Sequence, residues 1–229
     1  SEHPTVRYLL LANGASPEHH GFDGRICVRV PTDIAANFVF LTQEDSRGPE
    51  LVSSYLPGSA IDPLIQDVDG KEWAIILHKP ARRTVRFPEM DGQPVALSDG
   101  VQLLGYWLSQ PALKPGERLY VRLFWEAAQS SSQDYTTFVH LVKATANGGV
   151  ERVGGADALP GNGSCATSDW VSGEVIVDEL QFVLPGDLDS SQDYFLAIGF
   201  YSAEDGQRLS IPDHVQDQIL IGPLPIAER

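Results

Sequence analysis

Arg118-Leu119-Tyr120-Val121-Arg122-Leu123-Phe124-Trp125-Glu126 alternates without a break. Leu119, Val121, Leu123 and Trp125 fall on one face of an extended chain. Tyr120, Arg122, Phe124 and Glu126 fall on the other, which is the period of a β-strand. Turn residues bracket the run, with Lys114-Pro115-Gly116-Glu117 before it. The same grammar continues in both directions. Val101–Ser109, Tyr135–Lys143, Val150–Asp157, Glu174–Leu184, Asp193–Ser202, Arg208–Ile211 and Gln218–Ile221 read as further strands, as do the shorter Thr84–Phe87 and Pro94–Leu97. Asp99-Gly100, Asn147-Gly148-Gly149, Pro185-Gly186-Asp187 and Asp205-Gly206 separate them. Many short strands between Gly/Pro turns indicate a sandwich, of jelly-roll or immunoglobulin-like type. Tyr135–Lys143 and Tyr194–Ser202 carry bulk on both faces and are expected to be central strands.

Before residue 80 the pattern is mixed. Pro4–Leu11 reads as a helix stopped by Asn13-Gly14. Ile26–Val30, Asn37–Thr42, Ala60–Gln66 and Glu72–His78 read as strands, and Glu50–Leu56 as a helix with Ser46 as its N-cap. Pro80-Ala81-Arg82-Arg83 resembles a linker. The expected organisation is a small α/β subdomain over residues 1–80 and a β-sandwich domain over residues 81–229. The fold class is therefore mainly β.

The 229 residues carry 31 Asp and Glu against 16 Lys and Arg, a net charge of -15, with 42% hydrophobic residues. That hydrophobic content is too high for an acidic disordered tail. The charge argues against nucleic acid, which needs a basic stripe, and against an anionic membrane surface. Residues 1–80 hold 6 basic and 11 acidic side chains and residues 81–229 hold 10 and 20, so the acid is spread as on a solvated surface. No run approaches the roughly 20 apolar residues of a membrane span, and no signal peptide is visible. Two cysteines, Cys27 and Cys165, are too few for a disulfide scaffold or a zinc site. They are expected as free thiols, with a single bridge as the alternative.

Chemistry-bearing motifs are sparse. Gly161-Asn162-Gly163-Ser164-Cys165-Ala166 spells a dinucleotide fingerprint but lacks the strand before and helix after that would aim backbone N–H groups at a pyrophosphate. Asn162-Gly163-Ser164 also spells a glycosylation sequon, read as a plain loop. His19-His20 with Asp23 reads as a solvated loop, and His140 as a hydrogen-bonded structural histidine within a strand. There is no G-x-S-x-G elbow for a nucleophilic serine. Trp107, Tyr106, Tyr120, Phe124, Trp125 and Tyr201 lie within apolar alternation and read as core. Trp170 differs, because it stands in a polar, Gly-rich segment, and loops at sandwich ends carry function more often than sheets. The candidate ligand patch is Trp170 with Asp157, Asn162, Asp169 and Glu174; the competing reading folds Trp170 over the sandwich mouth as a plug. No cofactor is implied. A structural Ca²⁺ on Asp157, Asp169 or Asp178 is a weaker candidate, resting on hard oxygen ligands alone.

One set of segments is less generic: Val101-Gln102-Leu103-Leu104-Gly105-Tyr106, Phe138-Val139-His140-Leu141-Val142, Asp157-Ala158-Leu159-Pro160-Gly161, the run from Thr167-Ser168-Asp169-Trp170 to Asp178, and Leu196-Ala197-Ile198-Gly199-Phe200-Tyr201. Over residues 84–222 this resembles the C-terminal extracytoplasmic β-sandwich of bacterial multi-pass membrane glycosyltransferases, which are similar to dolichyl-phosphate-mannose protein mannosyltransferases. The departures are Ala166 in place of a proline, Ile198 in place of a valine and Phe200 before the tyrosine. The resemblance implies that catalysis resides in a membrane part outside this chain, and that this chain is a non-catalytic accessory domain binding carbohydrate or acceptor. Its implied partners are a glycan or lipid-linked sugar and the membrane domain of its own parent chain. It is expected on the extracytoplasmic face of the membrane as part of a longer protein, or in the cytoplasm if the chain is complete. The alternatives are a structural or protein-interaction module without ligand and, behind it, a freestanding hydrolase.

Overall fold

The computed structural model describes residues 20–227 apart from positions 46, 63–64, 67, 82–84, 88–89 and 213–215. The expected helix over Pro4–Leu11, His19, the Ser46 cap and half of the 80–83 linker lie outside those residues. The described chain is mainly β, with thirteen strands in three sheets. A five-stranded sheet has the order β1 (Cys27–Pro31), β11 (Glu174–Val183), β8 (Arg118–Ala127), β7 (Val101–Leu108), β6 (Val95–Ala96). A four-stranded sheet has the order β10 (Val150–Ala158), β9 (Tyr135–Ala144), β12 (Tyr194–Ser202), β13 (Ile219–Leu224). A smaller sheet places β5 (Glu72–Lys79) between β2 (Ala36–Leu41) and β3 (Ala60–Ile61), with β4 (Ile65–Gln66) also on β5. All strand pairings within the three sheets are antiparallel.

The alternation of β8 sets the layers. Leu119, Val121, Leu123 and Trp125 enter the core between the two larger sheets, where they meet Val139 and Leu141 of β9 and Leu196, Ile198 and Phe200 of β12. Phe124, on the other face of β8, joins a second core with Val28, Val30, Val175 and Val177. That core is closed by Phe38, Phe40 and Leu77 of the small sheet and by Val52 and Tyr55 of helix α1 (Gly48–Tyr55). The five-stranded sheet is thus covered on both faces around β1 and the adjoining parts of β11 and β8, which is why β1 is buried at every position, while Tyr120 and Val183 farther along stay exposed. Each large apolar side chain withdrawn this way contributes about 1.5–3 kcal/mol. β1 precedes residue 80 yet is hydrogen-bonded along β11, with Cys27 opposite Asp178. The change of periodicity near residue 80 therefore does not mark the edge of the larger sheet.

Helix α1 begins one turn after Asp45, whose Oδ1 accepts from the backbone N–H groups of Arg47 and Gly48 at 3.1 and 2.7 Å. Arg47 then forks onto Glu179 of β11 at 2.9 and 2.7 Å, and Arg122 of β8 donates to the same carboxylate at 2.8 Å while lying 4.3 Å over the Trp107 ring. Burial opposes ionisation of Glu179, but the two guanidinium groups outweigh it and hold the carboxyl below its usual range.

Three strand expectations change. Ala60–Gln66 divides into β3 and β4, each two residues long. Residues 85–87 form no strand: the N–H of Arg86 donates to Tyr55 O, and Phe87 packs between Tyr55 and Phe124. Arg208–Ile211 forms only a bridge between Arg208 and Tyr201. That segment passes from one sheet to the other, since Leu209 N donates to Phe200 O while Ser98 N donates to Ser210 O.

The cysteines also correct the expectation of free thiols. Cys27 and Cys165, 138 residues apart, form a disulfide that is buried at both ends. A cysteine on an edge strand and one in a distant turn give no local sign of pairing; the packing of β1 against β11 brings them together.

Candidate functional site

The residues expected around Trp170 do not gather into one surface patch. Trp170 is 1% exposed, its Nε1–H donates to Cys165 O at 2.8 Å, and its ring meets Phe200 edge-on at 5.9 Å. It is the plug of the competing reading, seated beside the disulfide. Glu174 is buried as well: its Oε2 accepts from Arg29 Nη2 at 2.6 Å, and the same nitrogen donates to the Asp169 carbonyl. Asn162 and Asp169 are exposed on separate short turns. Replacing Trp170 by Phe removes one buried hydrogen bond, and we expect it to cost about 1–2 kcal/mol in chemical unfolding.

The calcium candidates are dispersed. Asp178 lies inside the sandwich, accepting from Gly161 N at 2.9 Å and from Thr137 Oγ1 of the opposite sheet at 3.1 Å. Burial pushes its carboxyl up to about 7, against the pull of those two hydrogen bonds and with a small push from Glu179. Asp157 points elsewhere. Among the described residues no three His, Cys, Asp or Glu side chains gather as a metal site.

Asp157 instead belongs to a cluster on the outer face of the four-stranded sheet. On β9 the odd positions Val139 and Leu141 enter the sandwich core, so Phe138, His140 and Val142 face out. Phe138 pairs with Asp157 on one side and Gly199 on the other, and His140 with Gly155 and Ala197. The glycines are needed. A Cβ on Gly199 would stand 2.7 Å from the Phe138 ring, and one on Gly155, at φ +130°, would stand 2.4 Å from Val139 O. Their absence of side chain lets the Phe138 and His140 rings lie close on the sheet, 4.8 Å apart.

Polar groups converge above that floor. His140 Nε2 lies 2.8 Å from Asp157 Oδ1, and Arg152 Nη2 donates to Asp157 Oδ2 at 2.8 Å. Arg208 lies over the Phe138 ring at 4.5 Å and donates to Asp217 Oδ1 at 3.1 Å and Gln218 Oε1 at 3.0 Å. The side chains of Arg152, Asp157, Arg208 and Asp217 remain 48, 27, 31 and 53% exposed. Desolvation lowers the His140 pKa against the influence of Asp157, with Arg152 and Arg208 pressing the same way as burial. His140 is thus neutral at neutral pH, and its Nε2–H donates to the carboxylate. Burial raises the Asp157 pKa, but the hydrogen bonds of His140 and Arg152 together prevail and hold it low. The face presents two carboxylates and two guanidinium groups, each with hydrogen-bonding capacity left over.

The sequence reading identified Asp157 as a ligand candidate and His140 as a hydrogen-bonded strand residue, but not as neighbours. Arg152, Arg208, Asp217 and Gln218 carry no motif that marks them in the sequence. The period-two pattern of β9 places Phe138 and His140 on one face; the partners come from strand register and from the 203–218 connection, which carry no local signal.

No known family model matches the chain, and no curated protein matches it. Among solved structures, the crystal structure of the C-terminal domain of Wzt is similar at a TM-score of 0.39 and 17% identity, over 62% of this chain and 83% of that one. No helix among the described residues is long and apolar enough to cross a membrane.

Proposed function

We propose that this chain is a non-catalytic, extracytoplasmic carbohydrate-binding domain, and that the outer face of the four-stranded sheet holds the glycan. One observation carries the reading: the half-exposed array of Arg152, Asp157, Arg208 and Asp217 over Phe138 and His140. Adjacent sugar hydroxyls donate and accept together, and paired carboxylate and guanidinium groups offer the matching acceptors and donors. The buried Cys27–Cys165 disulfide supports an oxidising compartment. With the resemblance over residues 84–222, that favours a parent of the membrane glycosyltransferase type whose chemistry is done elsewhere. A second reading, a module that holds a protein partner, draws on Ile34, Val39 and Ile61, which are 62, 45 and 56% exposed.

Calorimetric titration after a glycan-array screen separates the two. The expected result is binding that weakens about tenfold or more in Asp157→Ala and in Arg152→Ala, from loss of charge-assisted hydrogen bonds. Trp170→Phe should bind as the parent does. No sugar bound above background, or full affinity in both variants, would remove the carbohydrate reading.

A further inference from the structure

We infer that the outer face of the four-stranded sheet takes neutral, hydroxyl-rich sugar units and rejects units that carry a uronate or phosphate. This rests on the carbohydrate reading of that face. The argument is one of charge pairing. Each guanidinium already faces a carboxylate: Arg152 with Asp157 at 2.8 Å, Arg208 with Asp217 at 3.1 Å. His140, pressed toward its neutral form by burial and by both arginines, adds no positive charge. The array is therefore rich in hydrogen-bonding atoms and balanced in charge, on a protein of net charge -15. An anionic saccharide would approach against that field and would have to displace an internal carboxylate to reach a guanidinium. A neutral one needs neither.

The floor narrows the class further. Phe138 is 0% exposed and capped by Arg208, so it is not an open ring on which an apolar sugar face could stack. Recognition by this array falls on hydroxyl groups, which favours hexoses with their hydroxyls intact over deoxygenated or acylated units.

The test uses the whole chain and two probes of equal length, a neutral hexose trisaccharide and a trigalacturonate, titrated at low and high salt. The neutral probe should bind with an affinity that changes less than about twofold with salt, because no net charge is neutralised. The uronate should bind at least about tenfold more weakly at low salt. Asp217→Asn strips Arg208 of its ion pair and should move the ratio of the two affinities toward the uronate by about tenfold, as a guanidinium that keeps only the neutral Gln218 partner gains a carboxylate. Equal or tighter uronate binding in the parent chain, a steep loss of neutral-probe affinity with salt, or an unmoved ratio in Asp217→Asn overturns the inference and leaves sugar binding standing. Binding of neither probe overturns this inference and the carbohydrate reading together.

Discussion

Replacing Cys27 or Cys165 by serine is expected to remove about 4–5 kcal/mol of unfolding free energy. The bond closes a loop spanning 138 residues, and cross-links over so long a loop restrict the unfolded chain most. Both sulfur-bearing residues sit in the sandwich core, at 1 and 0% exposure, so the native state gains no compensating hydration when they part. Total stabilities of domains run from about 5 to 15 kcal/mol, and the loss is a large fraction of that. Urea unfolding of the two serine variants, and of the parent chain with and without a strong reductant, measures it. A shift below about 1 kcal/mol would mean that packing around β1 alone holds that edge of the sheet.

Asp178→Asn is expected to stabilise the protein at alkaline pH and to leave it unchanged in acid. The carboxyl of Asp178 is pushed up to about 7 by burial, whereas in the unfolded chain it returns to an ordinary value near 3.8. Well below pH 3.8 both states hold the proton and the group is neutral to stability. As pH rises toward 7 the unfolded chain releases its proton first, so stability falls across that window, and it levels off above it. The accumulated loss at pH 8 is about 4 kcal/mol at most. Asparagine keeps the shape: its Oδ1 can accept from Gly161 N, and its amide can donate to Thr137 Oγ1. The variant should therefore show a flatter stability profile between pH 4 and 8 and a higher urea midpoint at pH 8. A variant that follows the parent profile through this range would show that Asp178 is already ionised in the folded protein.

Much of the fold is visible in the residues because burial imposes period. The alternation in Arg118–Glu126 and the bulk on both faces of Tyr194–Ser202 correspond to strands β8 and β12 with bounds within a residue or two. Turns with Gly and Pro mark the hairpins for the same local reason. What depends on contacts between distant segments is not visible. Trp170 sits in a polar stretch, yet the disulfide and Phe200 draw it inward, so local polarity misreports its exposure. Glu174 reads as a ligand candidate at the start of a strand and is a buried partner of Arg29, 145 residues away in sequence. Arg208 looks like the start of a strand, yet its guanidinium covers Phe138 as the chain crosses between sheets. The cluster around Asp157 is of this second kind. Three strands and a connection supply it, and strand register, which no single segment encodes, aligns them.

The five-stranded sheet is covered on both faces where β1 lies against β11, and this fixes where the molecule can be divided. A fragment that begins at residue 81 would keep β8 and β11 but lose β1, and with it the Cys27 half of the cross-link. It would also bare Phe124, Val175 and Val177, which the small sheet and α1 now cover. Such a fragment would carry an unpaired strand edge beside a greasy plane and a lone thiol at Cys165, the combination that drives chains to associate with one another. Subcloning, fusion junctions and crystallisation variants therefore belong outside the stretch from β1 to β13, however clearly the sequence changes character near residue 80.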